Sequence, residues 1–402
     1  MRIFHVSDCY APRTGGIESQ VRDLARAQAA AGHEVHVLTA TRGDHGEHGG
    51  VVEHDGEVTV HRLGMPAPFD LPVNPAAVPA VRELLRRHRP DVVHVHAGVV
   101  SPFAFDGARI ALDERVPLAI TWHCMLDGTV PALRAAVSRT RWGSAPVALS
   151  AVSHAAAERV ADVFGGKVGV LPNGMDLERW APRHRTGQAV PEPELVPEPE
   201  PGPARDATRF PVAPTHVLRC VATMRLAPRK RGPALIAVVE DALTQLPPGS
   251  LHLEVLGDGP SRSRMARRIT RRRLAGAIEL RGRVPREQVR DAYDAADVFI
   301  APAVLEAFGI AALEARTAGL VVVARRGTGI EEFVADGRDG LLVDDDAGMA
   351  RALVRLVRDP ELLRSLRAHS RDHRPRFSWA AVLAAADEEY ARARDLRERA
   401  GG

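Results

Sequence analysis

Apolar residues recur along this chain with two different periods, and the two kinds of stretch alternate. Residues 3–6, 34–39, 91–95, 117–122, 147–152 and 167–171 are short apolar runs that read as strands. Residues 51–63 read as one or two strands with a turn at Asp55-Gly56. Residues 16–31 place Val21, Leu24, Ala25 and Gln28 on one helical face, and Gly32 stops the helix. Residues 75–88 are also predicted helical. After residue 214 the alternation resumes, with strands at 217–222, 251–256, 278–281, 298–301, 320–324 and 340–343. Helices are predicted near 232–246, 260–274, 286–295, 309–318, 330–335 and 347–357, and two more in the tail at 360–372 and 378–398. Such alternation predicts parallel sheets covered on both faces, with ligands at the carboxyl ends of the strands.

The pattern lapses between residues 182 and 214. There the run Pro191-Glu-Pro-Glu-Leu-Val-Pro-Glu-Pro-Glu-Pro-Gly-Pro203 can neither build a core nor sustain a helix. It reads as an extended acidic linker, dividing the chain into a first domain (1–181), the insert (182–214), a second domain (215–374) and a terminal helical segment (375–402). A chain of 402 residues suits two domains. Apolar content of 45% and charge of 26% fit a soluble protein with real cores. A net charge of +3 argues against a nucleic-acid polycation. Cys9, Cys124 and Cys220 lack ligand spacing and read as free thiols in a reducing compartment. The N-terminus enters a strand at once, and no apolar run approaches the ~20 residues of a spanning helix. The expectation is a cytoplasmic protein, with peripheral attachment to a membrane face left open and the oligomeric state unspecified.

Chemistry concentrates in the loops after strands. Glu306-Ala-Phe-Gly-Ile-Ala-Ala-Leu-Glu314 follows the strand at 298–301 and runs into a helix start. Free amides at a helix N-terminus attract phosphate, and a carboxylate beside them accepts hydrogen bonds from hydroxyls. Together they suit a phosphate-linked sugar. The loop Met224–Gly232 carries Arg225 and Lys230 five residues apart, and Lys230 is one of very few lysines. Two fixed cations can stabilise a leaving diphosphate, although a basic loop can also be merely solvated. Gly15-Gly16-Ile-Glu18 removes side-chain bulk where a ligand or a tight turn needs room. His123 ends the strand at 117–122, on the rim of a cleft, among 17 histidines that are mostly structural. His94 and His96 share a strand face at acceptable metal spacing, but no carboxylate or cysteine accompanies them; His96 is a cleft candidate and His94 a packing residue. Pro172-Asn-Gly-Met-Asp176 reads as a hinge, and Leu256-Gly257-Asp-Gly-Pro260 and Arg281-Gly-Arg283 are further strand-end loops. Seven arginines between Arg262 and Arg273 read as a solvated helix face over Met265, Ile269 and Leu274. Asp344-Asp-Asp346 reads as a solvated strand end.

Glu-x-Phe-Gly-x-x-x-x-Glu resembles the motif of the retaining nucleotide-sugar glycosyltransferases of family 4, and the other segments occur in the order that family has. The resemblance covers nearly the whole chain outside the Pro/Glu insert. It implies an α/β fold of the GT-B kind, two Rossmann-like doubly wound domains facing across a cleft, with the last helix crossing back to the first domain. It implies that the first domain holds the acceptor and the second the donor. Arg225 and Lys230 would then grip the diphosphate, aided by amides of Phe308, Gly309 and Ile310. Glu314 would bind ribose, Glu306 and His123 the transferred sugar, and Gly16, Gly257 and Arg283 the remaining donor surface, with Glu18 toward the acceptor. His123, Glu306, Arg225 and Lys230 carry the catalytic expectation.

No protein nucleophile follows from the resemblance. The acceptor attacks on the leaving-group face, and a phosphate oxygen takes its proton. No metal and no cofactor beyond the donor are expected. The donor stays open between GDP-mannose and a UDP-sugar, and the acceptor between a lipid and a small polyol. Arg134, Arg139, Arg141 and Trp142 are candidates for a lipid surface. An epimerase or phosphorylase-type enzyme of the same architecture, or a non-catalytic sugar-nucleotide binder, are the alternative readings.

Overall fold

The computed structural model describes residues 1–13, 15–65, 74, 76–183 and 216–401. The expected Pro/Glu linker, apart from Pro182 and Arg183, therefore lies outside the described residues, as does the side chain of Arg141.

Two sheets carry the fold. The first contains β1 (Arg2–Ser7), β2 (Glu34–Thr39), β3 (Val51–Asp55), β4 (Val58–Arg62), β5 (Val92–Ala97), β6 (Leu118–Trp122), β7 (Val147–Ala151) and β8 (Val168–Val170). Its spatial order is β3-β4-β2-β1-β5-β6-β7-β8. All neighbours are parallel except the edge hairpin β3–β4, where Gly56-Glu57 makes the turn, one residue past the expected Asp55-Gly56. The second contains β9 (Leu218–Thr223), β10 (Leu251–Leu256), β11 (Ile278–Gly282), β12 (Val298–Ala301), β13 (Val321–Arg325) and β14 (Gly340–Val343), ordered β11-β10-β9-β12-β13-β14 and parallel throughout. Both are doubly wound, as the alternation predicts. Every residue of β5 and β6 is buried, so both faces of these strands are covered, and the polar His94, His96 and Thr121 are enclosed with the apolar residues.

The helices are α1 (Gly16–Ala30), α2 (Ala77–His88), α3 (Pro102–Asp113), α4 (Val130–Ser138), α5 (His154–Phe164), α6 (Leu177–Trp180), α7 (Gly232–Thr244), α8 (Arg262–Arg271), α9 (Arg286–Ala295), α10 (Ile310–Thr317), α11 (Asp346–Arg358), α12 (Pro360–Asp372) and α13 (Trp379–Arg399). The sequence pattern assigns no helix where α3, α4 and α5 stand. The physical reason in α3 is that Phe103, Ala104, Gly107, Ala108, Ile110 and Ala111 are all buried, so no narrow apolar stripe marks its face. The helix expected at 330–335 is instead a 3-10 turn over Gly329–Glu332.

The tail ties the halves together. Met175 N–H donates to Phe377 O at 2.9 Å. Ser378 then caps α13, accepting from Ala381 N–H. α13 lays Val382, Ala386, Tyr390 and Ala393 against Ile3, Leu24, Val92, Ala119 and Ala148 of the first domain. These four positions recur at helical spacing, so the face is set locally even though its partner is not.

Candidate functional site

Sheet order decides which loops meet. In the second sheet β9 lies between β10 and β12, so the chain reverses direction across the sheet at β9. Such a switch point opens a crevice at the carboxyl ends of the two strands. The loop after β9 carries Arg225 and Lys230, and the loop after β12 carries Glu306. Across that crevice Lys230 Nζ makes a close ion pair with Glu306 Oε2, and both side chains are partly exposed. The two expected residues, 76 apart in sequence, are thus brought into contact.

Arg231 holds this loop in shape. It occupies a left-handed conformation, φ 58°, at the start of α7. Its guanidinium donates to Pro302 O at 3.0 Å and bonds Asp346 with both terminal nitrogens, at 2.8 and 2.7 Å. That pairing holds the Asp346 carboxyl below the usual carboxylate range. Asp345 caps α11 through Gly348 N–H. The expectation that Asp344-Asp-Asp346 solvates a strand end is therefore corrected at two of its three residues. Arg231 was missed, hidden in a run of basic residues.

The loop after β10 supports the loop after β9 from beneath. Leu226 N–H donates to Asp258 O at 2.8 Å, and Ser261 N–H to Leu226 O at 2.9 Å. Gly257 sits at φ 130°, and a Cβ at this position would lie 1.9 Å from Met224 O. Gly257, expected against the donor, serves here for close passage of one backbone over another. Arg225 and Arg283 are exposed, and their guanidinium groups make no hydrogen bond or ion pair among the described residues.

At the start of α10 the amides of Phe308, Gly309 and Ile310 donate to no group among the described residues. This is the free helix terminus that attracts an anion. Gly309 has φ 91° there, and a Cβ on it would meet Ile330 Cγ1 at 2.7 Å. The Phe308 ring is buried against Phe333 and Phe377, at centroid distances of 5.5 and 5.4 Å, which anchors the loop to the domain crossing. From the first domain Gly16 approaches this same point: a Cβ added to it would stand 3.6 Å from Ile310 Cδ1. The Glu18 carboxylate folds back over Gly15 and lies 3.6 Å from Arg13.

Glu314 is not an open carboxylate. It is 8% exposed, and Arg286 donates to it at 3.0 Å. Arg286 in turn lies 5.5 Å over the Trp180 ring. Burial pushes the Glu314 carboxyl up to about 7, against the opposing pull of Arg286. Arg286 was missed by sequence reasoning, since nothing local tells its arginine from its neighbours. An expected result follows. If ribose hydroxyls donate to Glu314, its ionised form binds, and that form grows as pH rises through about 7. Affinity for a nucleotide sugar should then tighten about tenfold from pH 6 to pH 8. The diphosphate of a nucleotide sugar does not titrate in that window, so calorimetry with UDP-glucose or GDP-mannose reads the carboxyl alone. A flat profile, or one unchanged in Glu314→Gln, would discard the assignment. The sign for folding is opposite: a raised carboxyl stabilises the fold at low pH and loses that contribution between its ordinary value of 4.5 and about 7.

His123 stands just past β6, half-buried, its Nε2 3.0 Å from His96 Nδ1. His96 is 3% exposed, so it backs His123 and does not line the cleft as expected. His94, expected as packing, bonds Tyr390 and Thr121. Asn173 is buried, and Gln20 Nε2–H donates to Gly174 O at 3.0 Å, which suits a hinge. A further link between the halves is Glu332, which accepts from His154 N–H at 2.5 Å at the start of α5. In α8, Met265 and Ile269 are buried, while Arg268 and, at the helix end, Arg272 pair with Glu240. Among the described residues, the groupings with metal-ligand spacing are His5–His94–His96 and Glu34–His36–His88, and neither includes the cleft residues.

Both halves of the chain match known families. Residues 14–179 match the sequence profile described as Glycosyltransferase Family 4, and residues 215–359 the profile described as Glycosyl transferases group 1. A D-inositol 3-phosphate glycosyltransferase of Xylanimonas cellulosilytica is 30% identical, over 98% of this chain and 96% of the relative. A GDP-mannose-dependent alpha-(1-6)-phosphatidylinositol monomannoside mannosyltransferase of Mycolicibacterium smegmatis is 27% identical, over 88% and 89%. Among solved structures, Anabaena HepE in complex with UDP superposes with a TM-score of 0.68 at 19% identity, covering 97% of this chain and all (100%) of that one.

Proposed function

The chain belongs to glycosyltransferase family 4 and is a GT-B glycosyltransferase, and on that premise we propose that it takes a sugar-nucleotide donor and transfers a hexose, with retention at the anomeric carbon, to an inositol-bearing polyol. The observation that carries this is the contact of Lys230 with Glu306 at the switch point, beside the free amides of α10. In this reading the diphosphate enters between Arg225 and Lys230 and caps the α10 amides. Lys230 then turns from Glu306 to the phosphate, and Glu306 is released to accept hydroxyls of the sugar. The positive pair stabilises the charge that develops as the glycosidic bond to phosphate breaks. No divalent cation is required, because the two side chains supply its charge.

The acceptor reading rests on relatives whose names specify inositol 3-phosphate or a phosphatidylinositol mannoside. The first domain offers the loop at Gly16 and the end of β6 for the polyol. No helix among the described residues is long and apolar enough to cross a membrane. For a lipid-borne acceptor, α4 is the candidate contact. It has no buried residue, and Arg134 on it and Arg139 just after it are exposed.

Thermal stabilisation by a panel of nucleotide sugars tests the donor, since a ligand of the native state raises its stability. GDP-mannose or one UDP-hexose should raise the midpoint, and proton NMR of the product should show the donor's anomeric configuration. D-inositol 3-phosphate and phosphatidylinositol vesicles separate the acceptors, and transfer to the former alone would leave α4 without a membrane role. No stabilisation by any donor, or an inverted product, would reject the reading.

A further inference from the structure

Beneath His123 a line of buried polar groups runs through the first domain, and the transfer chemistry above gives it no role. His123 Nε2 is 3.0 Å from His96 Nδ1. His96 Nε2 is 2.9 Å from His5 Nδ1, and His5 Nε2 is 2.7 Å from Gln28 Oε1. Gln28 Nε2–H donates to Tyr390 OH at 2.8 Å. The Tyr390 hydroxyl is 2.9 Å from His94 Nδ1, and His94 Nε2 is 2.7 Å from Thr121 Oγ1. Thr121 Oγ1 is 2.8 Å from Ser150 Oγ, and Ser150 donates to Ile120 O at 3.4 Å. The groups come from β1, α1, β5, β6, β7 and α13, so only the assembled domain creates the line.

The line has a direction. A backbone carbonyl can only accept, so Ser150 gives its proton to Ile120 O and accepts from Thr121. Thr121 then accepts from His94 Nε2–H. A neutral imidazole carries one proton, so His94 Nδ1 accepts, from Tyr390 O–H. The Tyr390 oxygen takes the amide proton of Gln28, which turns the Gln28 oxygen toward His5. His5 must donate from Nε2, and its Nδ1 accepts from His96 Nε2–H. His96 Nδ1 accepts in turn from His123 Nε2–H. Burial keeps every ring neutral: it pushes His5 and His123 down to about 4, and His94 and His96 well below the usual histidine range. The opposite direction would leave the bond to Ile120 O unmade.

We propose that this line locks His123 in the Nε2–H tautomer, so that its Nδ1 lone pair accepts from a hydroxyl of the bound sugar, and that Gln28 and Tyr390 are positioning residues for the reaction. The proposal rests on the reading of His123 as a cleft residue. His123 Nδ1 has no partner among the described residues and is not sealed from solvent. His5, His94 and His96 lie close enough to share a metal ion, but all six of their ring nitrogens already serve the bonds above. A ligand set would have to break the line that the other groups complete.

Nitrogen-15 NMR of the full chain labelled at histidine reads the tautomer directly, with the His123 signals assigned by their loss in His123→Asn. The expected result is a protonated Nε2 and an unprotonated Nδ1. In Gln28→Leu and in the near-isosteric Tyr390→Phe, the Nδ1–H form of His123 should become populated. Turnover of the donor that stabilises the protein, GDP-mannose or a UDP-hexose, should fall about tenfold while KM stays within about twofold, the effect of lost orientation. A role in stability alone would lower Tm without moving the tautomer, and that outcome overturns the proposal. His123→Asn, which puts an amide oxygen near the place of Nδ1, should keep more activity than His123→Gln. Wild-type His123 protonated on Nδ1, or a zinc titration that shifts these signals and raises Tm, would overturn the line while leaving the cleft reading intact. Full activity in both His123 variants would overturn the cleft reading itself.

Discussion

Lys230→Ala should lower donor turnover by about a hundred- to a thousandfold, the loss typical when one preorganised charge is removed from a developing anion. The size follows from position. Lys230 sits on the loop after β9 and touches Glu306 from the loop after β12, which is where the proposed reading puts the diphosphate of a donor. Its removal also leaves the Glu306 side chain without its cationic partner beside the incoming phosphates, which weakens donor binding. Stability should change little, because a partly exposed ion pair contributes about 1 kcal/mol or less. Lys230→Arg should rescue only in part, since a planar fork cannot reproduce a compact point charge in the same space. Steady-state kinetics with the preferred nucleotide sugar measure this. Turnover within threefold of wild type, with Tm unchanged, would remove Lys230 from the chemistry.

Gly257→Ala should be the most disruptive single methyl in the second domain. At φ 130° any L side chain is strained, and its Cβ would stand 1.9 Å from Met224 O, which is backbone and cannot rotate away. One of the two loops must move, and they share hydrogen bonds at Leu226 and Ser261. A loss of roughly 4 kcal/mol or more is expected, at the upper end for point substitutions. Donor binding should fail with it, because the displaced segment carries Arg225 and Lys230. Gly32→Ala is the matched control. Gly32 also has positive φ, 87°, but nothing lies within 4 Å of its Cβ position. It should cost only about 1 kcal/mol, the strain without the clash. Equal shifts in Tm for the two variants would show that close backbone passage is not what Gly257 provides.

The elements of the fold were largely legible from local pattern. β2, β10, β12 and β14 begin and end where the pattern predicts: β12 and β14 are continuous apolar runs, while β10 alternates buried and half-buried positions. Helices buried around most of their girth, such as α3, leave no stripe to read. The loops that bear candidate chemistry were also visible, since glycine pairs, scarce lysine and paired glutamates are local signals. Their partners were not. Arg286 reaches Glu314 across 28 positions, Arg231 reaches Asp346 across 115, and Tyr390 reaches Gln28 across 362.

By itself, then, the order of residues determined the alternating elements, the parallel character of both sheets and the segments at which a phosphate and a sugar could be held. It did so because periodicity, glycine geometry and helix-end polarity act over a few residues. Tertiary structure alone decided which loop faces which. The chain reverses direction at β1 and at β9, and only that ordering sets Lys230 against Glu306, buries Glu314 beneath Arg286 and threads His123 to Tyr390. Contacts of this kind depend on strand order and on the path of α13, which are settled by burial of the whole chain and leave no mark at short range.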